Sequence, residues 1–367
     1  MVDAPTSRPS NVDATFMERA LFLAERGRGT TSPNPMVGSV VVSASGVIVG
    51  QGAHIRPGGA HAEVAALDMA ARRARRATLY CTLEPCAHVG RTGPCVERIV
   101  AAGISRVVAA MVDPDPRVSG RGFEYLRERG IDVTVGIGET AARELNAPFV
   151  TWVTKRRPYV IAKSAVSADG FVGVPRVRAL LTGDEANRYF HRQRAEVDAI
   201  AVGAGTMLTD DPQLTVRHVR RSRALLRVIV DWRARVPASA RLFSTLSEGP
   251  VIMAVTREAA VARRQALAAL EAAGATIELF DTPDIRALLT RLAELEVTLL
   301  LVEGGPSLQQ ACFDAGIVDR VQRVESPKHL KEGIPAAAGL KRPRDVVARV
   351  TTLGVDRLVE WDVHRTD

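Results

Sequence analysis

Apolar positions run along the chain in two rhythms. In FMERALFLAERG, residues 16–27, they fall at helical spacing and Gly27 ends the run, which predicts a helix. MVGSVVVSASGVIVGQGAH, from Met36, reads instead as two strands around a Ser-Ala-Ser-Gly turn. The rhythms then alternate. HAEVAALDMAARRA, from His61, is an amphipathic helix, ATLYCTL a strand and CVERIVAAG a helix closed by Gly103. SRVVAAMVDPDP is a strand entering a Pro/Asp turn, RGFEYLRERG a helix and IDVTVG a strand. Alternation at this spacing predicts an α/β layer with a mostly parallel sheet.

The pattern pauses at ETAARELNAPFVTWVTKRRP, and the basic cluster Lys155-Arg156-Arg157-Pro158 marks a domain boundary. A disordered arm is expected over residues 1–12, a first domain over 13–156 and a second over 157–367. The second domain opens with the strand PYVIAKSAVSADG, then the helix GDEANRYFHRQRAEV and the strands AIAVGAG, RVIVDWR and VIMAVT. One long helix is expected over AAVARRQALAALEAAG, followed by the strand TIELF and the helix DIRALLTRLAELE. TLLLVEGGPSL reads as a strand, a turn and a further helix, and two more strands are expected near Arg320–Glu325 and Asp356–His364.

Composition narrows the class. With 367 residues, 46% of them hydrophobic, each half can bury its own core. The apolar runs, such as Leu299 to Val302, are too short to span a bilayer, and MVDAPTSRPSNVD lacks the apolar stretch of a signal peptide. A cytoplasmic location with no membrane partner is expected. Four cysteines do not make a disulfide framework, and in a reducing compartment a metal site is favoured over a disulfide. The net charge of +8 suits anionic partners. Aromatics make up only 4% of residues, too few for base-stacking platforms, which favours a phosphorylated small molecule over nucleic acid. Symmetric homo-oligomers are common among cytosolic enzymes and one is expected here.

The chemistry concentrates in TLEPCAHVGRTGPC, residues 82–95. Zn²⁺ favours imidazole and thiolate, and a catalytic zinc keeps three protein ligands and one open position. His61, Cys86 and Cys95 supply such a set. Both His61 and Cys86 are expected after turns that feed helices, whose N-termini favour thiolates. Glu63 lies close enough to flank the metal without binding it, and can carry the proton that a hydrolytic deamination must move. The order His61-Ala62-Glu63, Pro85-Cys86, Cys95 follows that of zinc nucleobase deaminases, with the second cysteine nine positions on instead of three. A structural zinc module fits less well, because a closed site takes four protein ligands and needs no acid.

Several stretches together resemble the bifunctional deaminase/reductase family of riboflavin biosynthesis. They are NPMVGSVVV at Asn34, GAHIRPGGAHAEVAAL at Gly52, TLEPCAHVGRTGPC and MVDPDPRVSGRG at Met111. AKSAVSADG, AVGAGTMLTDDPQLTVR and LLLVEGGPSL continue the likeness through the second half. The resemblance implies an α/β fold: a cytidine-deaminase-like layer domain followed by a dihydrofolate-reductase-like domain. It implies zinc-dependent deamination of a pyrimidine carrying a phosphoribosylamino group, then reduction of the ribosyl group to ribityl with NADPH.

By that resemblance Asn34, His54, His88, Arg91 and Asp113 line the pyrimidine pocket. Lys163, Asp210 and Glu303 are the catalytic positions of the second half, with Glu303 holding sugar hydroxyls. Arg194, Leu214 and Arg217 bind the substrate, the two arginines at its phosphate. Ala165, Thr206, Asp210, Gly304, Gly305, Pro306 and Ser307 line the nicotinamide-nucleotide side. The stretch VGVPRVRALLTGDEA departs from the family, with Arg178 and Leu180 where Ser and Trp are expected, and the RVQRVESPKHLKEGIPAAAGL segment is unusually charged. An active deaminase joined to a non-catalytic second domain therefore stays open as an alternative. A nucleic-acid deaminase is a more distant one.

Overall fold

The computed structural model describes residues 11–87, 93–175, 177 and 180–363. Of the expected arm, residues 1–10 lie outside this range, as do His88, Arg91 and Arg178. The chain divides into two compact units, Met1–Arg156 and Arg157–Asp367.

The first helix, Asn11–Ala24, starts inside the expected arm and earlier than its apolar spacing indicates. Its polar first turn is pinned by Asp13, which is buried and accepts from the Tyr80 hydroxyl at 2.7 Å and from Arg106 Nη1 at 2.8 Å. In the first unit, β1 (Gly38–Val42), β2 (Ile48–Ala53), β3 (Thr78–Cys81), β4 (Arg106–Ala109) and β5 (Asp132–Val135) form one sheet in the order β2-β1-β3-β4-β5. β1 runs antiparallel to both β2 and β3, so this sheet is half antiparallel, not mostly parallel. The cause is the short turn after β1, closed by Ser43 N donating to Val47 O at 2.9 Å, which leaves no room for a crossover.

Successive residues of each strand serve opposite faces. Val41, Leu79 and Val107 pack with Ala66, Ile99 and Phe123 on one side, while Val40, Tyr80 and Val108 pack with Met17 and Ala20 on the other. A sheet covered on both faces explains the unbroken apolar run Val40–Val42. Where the pattern paused, the chain forms two short helices, Glu139–Leu145 and Ala147–Lys155. The Asn146 side chain between them accepts from Met36 N at 2.8 Å and donates to Met36 O at 2.9 Å, anchoring the approach to β1.

The second unit contains β6 (Tyr159–Val166), β7 (Phe171–Gly173), β8 (Ala199–Gly203), β9 (Leu226–Val230), β10 (Val251–Thr256) and β11 (Ala275–Phe280). It continues with β12 (Leu299–Glu303), β13 (Arg320–Glu325), β14 (Ile334–Pro335), β15 (Arg349–Leu353) and β16 (Asp356–Asp362). The main sheet has the order β11-β10-β9-β8-β12-β6-β13-β16-β15, and β7 pairs with β14 alone. Neighbours from β11 to β13 are parallel, and β16 and β15 complete an antiparallel edge. β15 went unexpected because Arg349–Thr352 are all exposed and carry no alternation. The helix Ala204–Asp210 was likewise hidden behind the strand reading of AIAVGAG. The single long helix expected after β10 is two, Arg257–Ala262 and Arg264–Ala272. Thr256 caps the first by accepting from Ala259 N at 3.2 Å, and Arg263, at φ −123° and ψ 34°, turns the chain between them.

Two glycines set the closeness of β2 to the helix Ala62–Ala70. A Cβ on Gly50 would lie 2.1 Å from Ala66 O, and one on Gly52 would lie 2.5 Å from Ala62 O. Both obstacles are backbone atoms that cannot swing aside. Gly50→Ala is therefore expected to destabilise the first unit by about 2–3 kcal/mol through overpacking, read as a lowered calorimetric transition for that unit.

Candidate active sites

In the first unit three elements deliver one donor cluster. His61 occupies the N-cap position of the helix Ala62–Ala70, with extended backbone angles. Cys95 begins the helix Cys95–Ala101. Cys86 lies in irregular chain after β3; the helix start expected for it belongs to Cys95 instead. Cys86 O accepts from Val96 N at 3.3 Å, which fastens that chain across the helix start.

His61 Nδ1 stands 3.1 Å from Cys95 Sγ and 3.5 Å from Cys86 Sγ, and all three ligating atoms lie within 4.8 Å of one another. An imidazole nitrogen and a thiolate on one tetrahedral zinc stand roughly 3.5 Å apart, so this donor set fits the ion and leaves one position over. The Cys86 thiol is held down at about 4, first by its hydrogen bond with Cys95 and then by the His61 ring. Cys95 is pushed the other way by the same bond and by burial. Hydrogen bonding to Cys86 raises His61. Of the two sulfurs, Cys86 is thus the favoured anion and Cys95 holds the shared proton.

Glu63 follows in the first helical turn and is buried. Burial foremost, and then the Cys86 charge, push its carboxyl up to about 7, and its side chain hydrogen-bonds Cys95. A carboxyl so tuned can take and return a proton near neutrality.

Next to His61 the rings of His54 and His61 meet edge to face, 5.5 Å apart. His54 Nδ1 faces Ala60 O at 3.1 Å, so that nitrogen carries the hydrogen. His54 Nε2 then accepts from Asn34 Nδ2 at 3.0 Å, which fixes the direction of the Asn34 amide. Burial lowers the His54 pKa and keeps the ring neutral. Asn34 and His54 are thus assembled beside the donor cluster.

Asp113 sits in a turn that Glu84 holds. Glu84 is buried and accepts from the backbone amides of Asp113 at 3.1 Å, Gly120 at 2.9 Å and Gly122 at 2.8 Å. Asp113 Oδ1 is itself taken by Asp115 N at 2.8 Å. In the sequence Glu84 stands only as the residue before Pro85-Cys86, and nothing there signals that it holds this turn.

The second unit carries a cleft of about 810 Å³. Lys163 on β6 and Glu303 at the end of β12 are register partners on adjacent parallel strands. Lys163 Nζ lies 3.7 Å from Glu303 Oε2 and 4.3 Å from the centre of the Phe190 ring. Arg194, from the helix Asp184–Glu196, donates to both Glu303 oxygens, at 2.6 and 2.7 Å. Its guanidinium is thus engaged by Glu303. Both oxygens of Glu303 likewise face cations, a different setting from the hydroxyl-binding one expected. Burial pushes the Glu303 carboxyl up, but Arg194 and Lys163 outweigh it and hold it at about 2. Burial also lowers the pKa of Lys163, which Glu303 partly offsets.

Asp210, the last residue of its helix, lines the same cleft, as do Ala165, Thr206, Leu214, Arg217, Gly304 and Gly305. Gly304 and Gly305 take left-handed φ values of +72° and +70°, and a Cβ on either would crowd Thr206 Oγ1 at 3.2 and 3.1 Å. Pro306 and Ser307 instead open the helix Pro306–Asp314 behind this turn, beyond the residues that form the cleft wall. Buried Leu214 holds a left-handed φ of 53°, a strained setting of the kind that gathers at functional sites. His191 also went unmarked in the sequence. It shares a helix face with Arg194 three positions on, and its two ring nitrogens lie 3.2 Å from Arg217 N and Arg217 Nε. Burial first, then the two arginines, lower its pKa to about 4, so the ring is neutral.

Residues 10–111 match the family profile of the cytidine and deoxycytidylate deaminase zinc-binding region, and residues 158–341 match the RibD C-terminal domain. The riboflavin biosynthesis protein RibD of Aquifex aeolicus is 41% identical over 324 residues, covering 88% of this chain and 89% of its own length. That of Escherichia coli is 37% identical and covers 91% and 93%. The chain belongs to the RibD family. It is an enzyme of riboflavin biosynthesis with a deaminase half and a reductase half.

Solved structures of RibD agree in fold. The Thermotoga maritima diaminohydroxyphosphoribosylaminopyrimidine deaminase/5-amino-6-(5-phosphoribosylamino)uracil reductase superposes with a TM-score of 0.83 at 33% identity, covering 96% of this chain and 98% of that one. Acinetobacter baumannii RibD gives 0.83 at 31%, covering 96% and 99%. The expected pair of α/β domains, deaminase-like then reductase-like, is thus the fold of this chain. No helix among the described residues is long and apolar enough to cross a membrane.

The two charge clusters predict two outcomes. Cys95→Ser should reduce bound zinc from equimolar to near zero by atomic absorption, since one of only three ligands is weakened. Glu303 has a folded pKa of about 2 against an ordinary 4.5. Its contribution to stability is present above the ordinary value and is lost as the pH falls toward 2. The urea midpoint of the second unit should drop across that window, and Glu303→Gln should flatten the drop.

Proposed function

We propose that the first unit deaminates the pyrimidine ring of 2,5-diamino-6-ribosylamino-4(3H)-pyrimidinone 5′-phosphate by hydrolysis, and that the second reduces the product's ribosyl group to ribityl with NADPH. The observation that carries the reading is the convergence of His61, Cys86 and Cys95 beside a buried Glu63. His61, Cys86 and Cys95 would hold Zn²⁺, which would supply the acidity that lets water attack the ring near neutrality. Glu63 takes the water's proton and hands it to the departing amine, which leaves as ammonia. Asn34, oriented by His54, reads an edge of the pyrimidine. His88, Arg91 and Asp113 complete the pocket.

In the second unit a bound dinucleotide would supply the hydride for C1 of the opening sugar. The oxygen released from C1 takes a proton, for which Lys163 and Asp210 are the donors at hand. Glu303 and Arg194 fix the position and charge of Lys163. Arg217, beside His191, and Arg194 receive the phosphate end of the substrate, and Leu214 contacts the substrate next to them. Thr206 and the Gly304–Gly305 turn, with Ala165 opposite, hold the nicotinamide side, and Pro306 and Ser307 add the helix start behind it. We assign the enzyme to the cytoplasm, as a homo-oligomer without nucleic-acid or membrane partners.

Glu63→Gln should retain zinc yet lower ammonia release by at least about a hundredfold, because the proton shuttle alone is lost. Ammonia release at the parent rate would contradict the role of Glu63. Asp210→Asn should leave deamination intact and abolish NADPH oxidation. Loss of both activities would contradict the independence of the two halves.

A further inference from the structure

Four polar residues form a row across the main sheet of the second unit. Register pairs Glu303 on β12 with Lys163 on β6, Lys163 with Gln322 on β13, and Gln322 with Glu360 on β16. Residues paired across neighbouring strands share a face of the sheet, with strands about 5 Å apart. On that face their neighbours Ala165, Val324 and Leu358 pack with Phe190 of the helix Asp184–Glu196. The alternate residues Ala162, Val321, Val359 and Trp361 belong to the core on the other face.

Donors and acceptors do not balance along this row. The Lys163 ammonium has three N–H donors. Glu303 Oε2 is 3.7 Å from it, beyond hydrogen-bond length, and both Glu303 oxygens already accept from Arg194 at 2.6 and 2.7 Å. Gln322 has the opposite excess. It is 2% exposed, and its Nε2 donates to Glu360 Oε1 at 2.8 Å, which fixes the amide and turns its oxygen from Glu360. That oxygen is buried and, among the described residues, has no hydrogen-bond partner. A buried acceptor of this kind is unfavourable unless a donor reaches it. The lysine next to it in register has donors to spare.

We propose that Gln322 is a positioning residue of the reductase centre, whose side-chain oxygen takes one N–H of the Lys163 ammonium and keeps that group charged for proton donation to the sugar oxygen. The proposal rests on the reading of Lys163 as a proton donor. The contact needs a rotamer change of the flexible four-carbon lysine chain toward β13. The titratable groups around Lys163 are Glu303 on β12, Arg194 and His191 on the covering helix, Asp210 across the cleft, and Glu360 beyond Gln322. Glu303 favours the ammonium, while Arg194 and, above all, burial oppose it. An added acceptor therefore acts where the charge is hardest to keep.

The test follows NADPH oxidation across pH by the full, zinc-loaded chain given the phosphoribosylaminopyrimidine, with ammonia release measured alongside. Gln322→Met removes the acceptor at similar volume. The ammonium is then less favoured and Lys163 loses its proton at lower pH. The alkaline limb of kcat should move down by about one pH unit, with the KM for NADPH and ammonia release within about twofold of the parent. The exchange of Gln322→Glu with Glu360→Gln keeps both groups and places a carboxylate beside Lys163, so the limb should move up instead. An unmoved limb in Gln322→Met, or a fall in kcat equal at every pH, overturns the proposal. A limb that stays or moves down in the exchange variant does so too, and that variant decides should Gln322→Met fail to fold. A parent that oxidises NADPH without any alkaline limb removes this proposal and leaves the reduction standing. A parent that releases ammonia but oxidises no NADPH removes the reductase reading and this proposal together.

Discussion

His61 must reach two thiols that enter more than twenty residues later in the chain, and the first unit is arranged around that meeting. The imidazole sits at the start of a helix whose depth is set by β2, where Gly50 and Gly52 let strand and helix backbones touch. Cys95 sits at the start of a second helix, and Cys86 is fastened to it through Val96. Glu63, two residues after His61 in the first helical turn, is carried to the same point, and burial beside sulfur raises its carboxyl to about 7. Displacing the helix from β2 would separate the proton carrier and the ligands together.

The second unit solves a different electrostatic problem. It buries a carboxylate, Glu303, among a lysine and an arginine at the C-terminal ends of parallel strands, where open α/β sheets bind ligands. Burying these charges is unfavourable taken singly, and their mutual attraction offsets it. The result is a fixed set of charges in a cleft that apolar Val172 and Leu181 also line. Such a pairing suits a reaction in which hydride and proton arrive from different groups.

Much of this was legible in the sequence where one residue type has one physical meaning. The alternation of apolar runs gave both α/β layers, and the His61, Glu63, Cys86 and Cys95 pattern marked the donor cluster because few other arrangements of those residues make chemical sense. Less was legible where meaning depends on the partner. The antiparallel pairing of β1 with β3, the exposed edge strand β15 and the divided helix at Arg263 carry no distinct periodicity. The ion pair of Arg194 with Glu303 has no signal in the sequence. Glu84 is an ordinary acid until three backbone amides point at it. Lys163, Asp210 and Glu303 were found through family likeness, since a lone lysine on a strand has no signature of its own.

The measurement that tests the account most directly follows ammonia release and NADPH oxidation together, on zinc-loaded protein given the phosphoribosylaminopyrimidine. Two centres acting in sequence predict ammonia first, at a rate independent of NADPH, followed by NADPH oxidation in equal amount. Absence of ammonia, or NADPH oxidation that precedes it, would contradict the account.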